Sequence, residues 1–466
     1  MVMKISRLLI IGYILIIFLF SSGCIDQSDN KLNLESIKHS SDAVTTMASV
    51  GWSIEENYVD AVSEAVTMAR QGLGNETPIF AYVVLTARSS SEENNDTADE
   101  IRRQLGPEVK MAGMTTKLGV MTNDGIHVGQ NGSIGILLVA SKNITFGVGE
   151  VDLEDFDTPE EAGNTAINNA IEDAGNPDSP PNMTLYIGTT RRGDDMRILD
   201  GIAEVIGAES PVIGGSASDD KISGLWMQLT HRKSYDSGLI LVAVYTNLKN
   251  GWGFETGYKL TDNKGIATIS DGYLISEIDN QPALDVYDEW LNGELYQKLN
   301  AGEFNDESGN ISFDLIKEFT LLNPVARVLR TEDGRIGHYT VSPIPSTEDV
   351  ASKKLRVFAE IQEGWEIALY RGTWQTHMNR VETIPSNALE RAGLDPGEGM
   401  FGIMQFCNGL RSQIPSEEFE KVPAITDDVL GGVPFIGAIT GGEHGPLHEI
   451  GRNVNANLIE CMVVMG

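Results

Sequence analysis

Pro211-Val212-Ile213-Gly214-Gly215-Ser216-Ala217-Ser218-Asp219 (PVIGGSASD) is an apolar run that stops on a glycine pair and turns polar. Two further segments follow the same plan: Met111-Ala112-Gly113-Met114-Thr115-Thr116 and Phe435-Ile436-Gly437-Ala438-Ile439-Thr440. Working outward, each is preceded by a continuous apolar run that reads as a buried strand, at 78–87, 183–190 and 400–407. An arginine follows each run within four residues: Arg88, Arg191 and Arg411. A helical or loop segment comes next, clearest at 97–105 and 196–206. A second strand lies at 132–140, 237–245 and 456–464. It begins 19, 23 and 19 residues after the glycine (113 to 132, 214 to 237, 437 to 456). The same order at similar spacing in three places predicts a repeated unit of strand, helix, glycine turn and strand. Strands alternating with helices place the chain in the α/β class with mixed sheets.

Between the second and third units, residues 258–398 differ in texture. Hairpin signals at Asp271-Gly272 and Asp333-Gly334 are flanked by alternating apolar residues, a helix is predicted over 283–299, and strands are predicted near 355–362 and 365–370. This reads as an antiparallel insertion in a second domain. Ahead of the first unit, apolar spacings of three and four predict a helix over 40–71, stopped by Gly72.

The N-terminus carries Lys4 and Arg7, an apolar run over 8–20, and then Ser21-Ser22-Gly23-Cys24. Thirteen apolar residues make a helix of about 20 Å, too short to span a bilayer comfortably but suited to an export signal. The small residues ending in Cys24 resemble a lipobox, at which the signal is cleaved and the new N-terminal cysteine acylated. The expected organisation is a signal peptide (1–23), a lipid-anchored tether (24–39) and two domains (40–281 and 282–466), on the outer face of the cytoplasmic membrane. The alternative is an uncleaved signal anchor with an incidental cysteine.

The 466 residues include 34 Lys and Arg against 67 Asp and Glu, a formal charge of −33. Such a surface repels phosphate backbones and excludes nucleic-acid binding through a basic face. Three cysteines exclude a disulfide scaffold, and whether Cys407 and Cys461 pair stays open.

Motifs for catalysis are sparse. GxSxG, HExxH, GxxxxGK[ST] and GxGxxG after a strand are all missing. Glu443-His444-Gly445-Pro446-Leu447-His448-Glu449 sets carboxylates beside imidazoles, but Gly445 and Pro446 break the helix that would align the two histidines. A polar loop is the reading adopted there, with neither metal nor cofactor expected. Cys407 near Arg411 is the other enzymatic alternative, a thiol nucleophile, with no histidine nearby in sequence. For binding, the glycines of 214–219 let backbone N–H groups converge, and Ser216 and Asp219 supply a polar mix, although a capped turn explains the same residues. A small polar metabolite is expected where the glycine segments meet the arginine-bearing strand ends. Its carboxylate would pair with Arg411 or Arg191, and its amine with Asp219 or Glu443. Gly214, Gly215 and Gly437 would line the pocket with backbone N–H groups.

These stretches together resemble the FIST family, a two-part sensory domain. The segment 211–219 looks like its V-x-G-G-x-A-x-D motif, and residues 235–244 with Gly251-Trp252-Gly253 look like the strand and turn that follow. Residues 275–287 are similar to the junction of the halves. Phe406-Cys407-Asn408-Gly409-Leu410-Arg411 resembles F-x-C-x-x-R with the arginine one place late, and Gly441-Gly442-Glu443 resembles the later G-E turn. The resemblance covers about 40–466. It implies a sensor of small ligands, amino acids or similar metabolites. No output domain follows Gly466, so the expected partners are the ligand, the membrane through the lipid, and a separate membrane signalling or transport protein.

Overall fold

The computed structural model describes residues 46–466 except 177, 190–194 and 222; Cys24 and Arg191 therefore lie outside the described residues. The three predicted units are one motif built three times. The first runs β1 (Met47–Ser53), α1 (Tyr58–Leu73), β2 (Phe80–Thr86), α2 (Ser91–Leu105), β3 (Lys110–Thr116), a short hairpin β4 (Val120–Thr122) and β5 (Gly125–His127), then β6 (Ile134–Ala140). The second runs β7 (Ile144–Asp152), α3 (Pro159–Ala174), β8 (Met183–Gly188), α4 (Asp195–Ile206), β9 (Val212–Ser216), hairpin β10 (Gln228–Thr230) and β11 (Ser234–Tyr235), then β12 (Gly238–Thr246).

The third opens with β13 (Asn250–Glu255) and is interrupted at once by the insertion. This holds β14 (Lys259–Ser270), β15 (Gly272–Ile278), β16 (Gln281–Pro282), α5 (Ala283–Trp290), α6 (Glu294–Ala301), α7 (Phe313–Leu321), β17 (Val325–Arg330), β18 (Ile336–Val341), α8 (Thr347–Ala351), β19 (Leu355–Ile361) and β20 (Glu366–Arg371). The unit resumes with α9 (Trp374–Ala392), β21 (Phe401–Cys407), the short helices α10 (Asn408–Arg411) and α11 (Ser416–Phe419), and α12 (Val422–Leu430). It ends with β22 (Phe435–Thr440), hairpin β23 (Glu443–Leu447) and β24 (Arg452–Ala456), and β25 (Glu460–Met465).

Each unit makes a six-stranded mixed sheet, and each sheet is completed by another unit's hairpin. The strand orders are β1-β6-β2-β3-β10-β11, β7-β12-β8-β9-β23-β24 and β13-β25-β21-β22-β4-β5. The hairpin of the first unit thus joins the third sheet, that of the second joins the first, and that of the third joins the second. The central pair is parallel in all three (β2–β3, β8–β9, β21–β22). Gly113, Gly214 and Gly437 hold the same place: they face Val83, Tyr186 and Met404, each the fourth residue of the partner strand. On the other side they face Leu229, His444 and Met121, the middle of a hairpin strand in the first and third of these pairings. The glycines are needed for close approach rather than for a turn. A Cβ on Gly113 or Gly214 would overlap the carbonyl oxygen of Val83 or Tyr186, and one on Gly437 would press on Met121 at 3.0 Å.

Alternation along the strands sorts side chains to two faces. Tyr82 and Val84, Leu185 and Ile187, and Ile403 from the three sheets enter one shared core. The opposite faces are covered by helices: Val83 and Leu85 by α1 and α2, Tyr186 by α3 and α4, and Met404 and Phe406 by α9 and α12.

Local departures from expectation have local causes. Met47–Ser53 is a strand rather than the start of a helix, because its seven residues pair along β6. The helix expected over 283–299 is two helices, parted where Asn292 and Gly293 both take positive φ (59° and 81°). Both predicted hairpins of the insertion are present, as β14–β15 and β17–β18.

Candidate functional site

The parallel strands β2 and β3, β8 and β9, and β21 and β22 end towards one region, and the carboxyl ends of such strands are where α/β sheets hold ligands. A cleft of about 290 Å³ lies there. The residues four places after each repeated glycine, Lys117, Ser218 and Gly441, all line it. Its third-unit wall is Cys407, Asn408 and Gly409 at the end of β21. The insertion covers it with Phe313, Lys317 and Leu321 of α7 and Phe358 of β19, and Trp226 adds a further apolar wall.

The charge in this cleft runs against that of the chain. Lys117 is partly buried, and among the described residues its Nζ has no hydrogen bond or ion pair. Burial lowers its pKa, an effect opposed by the Asp220 carboxylate and reinforced by the Lys317 and Arg411 cations. Lys317 is tied to Asp314 at 3.1 Å. Lys117 is therefore the cation without a direct partner here, among apolar walls.

Directly behind the cleft lies a buried acid. Glu443 is 0 % exposed and accepts from Thr440 Oγ1 at 2.7 Å; burial lifts its pKa to about 8, so it is protonated at neutral pH. Burial, with Glu443 beside it, holds the Cys407 thiol well above its usual range. Cys407 takes a place that threonines fill in the other units. Thr86 accepts from the Ser133 N–H at 2.6 Å, Thr189 donates to the Asp236 carbonyl at 3.2 Å, and Cys407 accepts from the Leu458 N–H at 3.3 Å. A neutral buried thiol tying a loop does not suit a nucleophile. Cys407 and Cys461 are both free.

The expected site residues divide into groups. Gly214, Gly215 and Ser216 lie in β9 beside Glu443, with Gly215 opposite Glu443 in register and the Ser216 N–H donating to the Gly442 carbonyl at 2.9 Å. The backbone of Gly437 is held within the third sheet, between β21 and β4. Asp219 borders the cleft, but its carboxylate is filled by its own loop. It accepts the N–H groups of Lys221, Ser223, Gly224 and Leu225 at 2.8–3.0 Å. Burial works to raise its pKa, and these four donors outweigh it and hold the group below its usual range. Arg411 turns away into its own loop, donating to the Ile414 carbonyl at 3.1 Å and to Ser416 Oγ at 3.2 Å, with its guanidinium over Phe419.

The Glu443–Glu449 segment, read as a polar loop, mostly forms strand β23 instead. His444 is buried, donates from Nε2 to Asp195 Oδ1 at 3.0 Å and stacks on Tyr186, while His448 and Glu449 are exposed. Among the described residues no three His, Cys, Asp or Glu side chains gather where a metal could be held.

Sequence reasoning missed Lys117. Its signal was its distance from Gly113, the same four residues that separate Ser218 from Gly214 and Gly441 from Gly437.

The FIST N domain model matches residues 81–281, and the FIST C domain model matches residues 283–446. No curated protein matches the chain. Among solved structures, the chain is similar to cyanuric acid hydrolase from A. caulinodans, at 10% identity over 90% of this chain and 99% of that one, with a TM-score of 0.33. A second cyanuric acid hydrolase structure gives 10% identity over 90% and 100%, with a TM-score of 0.31.

Proposed function

The chain belongs to the FIST family, whose domains sense small ligands, and on that premise we propose that the cleft beside Lys117 binds a small carboxylate-bearing metabolite, an amino acid or a close relative. One observation carries this reading: Lys117 is a partly buried ammonium with no partner among the described residues, facing apolar walls in a cleft of about 290 Å³. That volume is at the small end of ligand pockets. A carboxylate on Lys117 would gain a charge-assisted hydrogen bond in partly desolvated surroundings. An apolar portion would rest on Trp226, Phe313 and Phe358, with Ser218 and Asn408 on the polar side. The carboxylate partner is thus Lys117 in place of Arg411, whose guanidinium bonds within its own loop and does not line the cleft. A thermal-shift screen of amino acids and small carboxylates tests this. A ligand at 100 times its Kd adds about 2.7 kcal/mol of stability. At least one compound should raise the Tm of the wild type and leave that of Lys117→Ala unmoved; equal shifts in both would remove the cleft from the account.

We further propose that the sensor is exported and held at the outer face of the cytoplasmic membrane by lipid on Cys24, passing its signal to a separate membrane protein. The supporting observation is the basic, apolar and Ser21-Ser22-Gly23-Cys24 order of the N-terminus. Among the described residues no helix is long and apolar enough to cross a membrane. Cys24→Ala should release the protein or leave its precursor uncleaved, as judged by fractionation and mass spectrometry. Processing and retention like wild type would refute the lipid anchor.

A further inference from the structure

Arg88 follows β2 directly and is only 8 % exposed. One nitrogen fixes it in place: Nη1 donates to the backbone carbonyls of Asn131 and, at 3.5 Å, Glu56. The opposite edge of the guanidinium, Nε and Nη2, is buried and has no hydrogen-bond partner among the described residues. That edge presents two parallel N–H groups suited to the two oxygens of one carboxylate. Elsewhere in this molecule it does that work. Arg197 grips Glu160 at 2.7 Å through both nitrogens, Arg330 grips Glu366 at 2.9 and 3.0 Å, and Arg356 grips Asp349 at 2.8 and 2.9 Å. The Glu93 carboxylate acts on Arg88 through space but is itself held by the Ser89 N–H and hydroxyl at 3.2 and 2.5 Å. Leaving a buried charged donor unmet is costly, so the bare edge calls for an external acceptor.

Arg88 lines a cleft of about 450 Å³ separate from the one beside Lys117, although Asp219 borders both. Ser89, Lys221 and Ser223 line it too, as do Glu56, Glu93 and Asp220. These acids make a poor setting for a bare anion such as phosphate, and a favourable one for a cation tethered to a carboxylate. We propose that this cleft is a second ligand site, taking a small zwitterion whose carboxylate is gripped by Arg88 Nε and Nη2 and whose cationic group faces Glu56 and Glu93.

Calorimetric titration of the full chain with glycine, β-alanine and 4-aminobutyrate, and with acetate and inorganic phosphate as anion controls, tests the site. At least one zwitterion should bind, more tightly than either control. Arg88→Gln and Arg88→Lys should each weaken it about tenfold or more, since lysine keeps the charge but loses the planar fork. Circular dichroism establishes that each variant is folded, and Arg88→Lys serves if Arg88→Gln is not. In Lys117→Ala, which removes the site proposed above, the Arg88-dependent binding should persist, which separates the two sites. The proposal is overturned if none of the three zwitterions binds, if binding survives both Arg88 substitutions, if it is lost in Lys117→Ala instead, or if phosphate binds more tightly.

Discussion

Glu443 and Cys407 decide how the floor of the cleft responds to pH. Glu443, and Glu460 at the start of β25, are both held at about pKa 8 by burial, against an ordinary value of 4.5. The folded chain keeps these two protons up to about pH 8, whereas the unfolded chain gives them up near 4.5. Their contribution to stability is therefore complete below pH 4.5 and is lost as pH rises through 8. In Glu443→Gln the amide keeps the shape without the titration, so Tm should fall less steeply between about pH 5 and 8 than in wild type. Identical slopes in thermal melts across that range would show that Glu443 does not carry the shift. At this scale the sequence is least informative. Asp219 and Arg411 offered the right chemical groups, yet one is filled by four N–H donors of its own loop and the other by Ile414 and Ser416. Whether a charged group is spent locally depends on loop geometry, which spacing does not encode.

Among elements, the glycine-bearing strands are the most constrained. In β9 an added Cβ at Gly214 would collide with backbone, the Tyr186 carbonyl, which cannot swing aside. In β22 one at Gly437 meets side-chain atoms rather than backbone, Met121 Cβ and Cε at 3.0 Å and Met404 Cβ at 3.6 Å, contacts that need only a small shift. Gly214→Ala should therefore cost about 3 kcal/mol or more in denaturant unfolding, and Gly437→Ala clearly less. Equal costs would mean that the three glycines are not held for the close approach described. The order of strand, helix, glycine strand and strand was legible because each unit keeps its apolar runs and its glycine at constant spacing. The hairpin exchange was not. β4, β10 and β23 are only three to five residues long and find their partners far along the chain, so no local pattern announces them. His444 illustrates the loss: beside Gly445 and Pro446 it reads as part of a polar loop, while in β23 it faces Gly214 across a sheet from another unit.

Taken as one molecule, the chain uses its three units unequally. Each contributes a residue four places beyond its glycine to one cleft, but those residues are Lys117, Ser218 and Gly441, so a single cation marks one side of an otherwise repeated frame. The insertion breaks the symmetry further, since α7 and β19 cover the cleft with Phe313, Leu321 and Phe358. Against a formal charge of −33, a carboxylate in this cleft is drawn mainly by that local cation, which fixes its orientation. A crystal structure of the chain with the carboxylate that most raises its Tm is the most direct measurement. The ligand should lie in the cleft, its carboxylate within hydrogen-bond distance of Lys117 Nζ and its apolar part against Trp226 and Phe358. A carboxylate held instead by Arg411, or a ligand bound elsewhere with this cleft unoccupied, would contradict it.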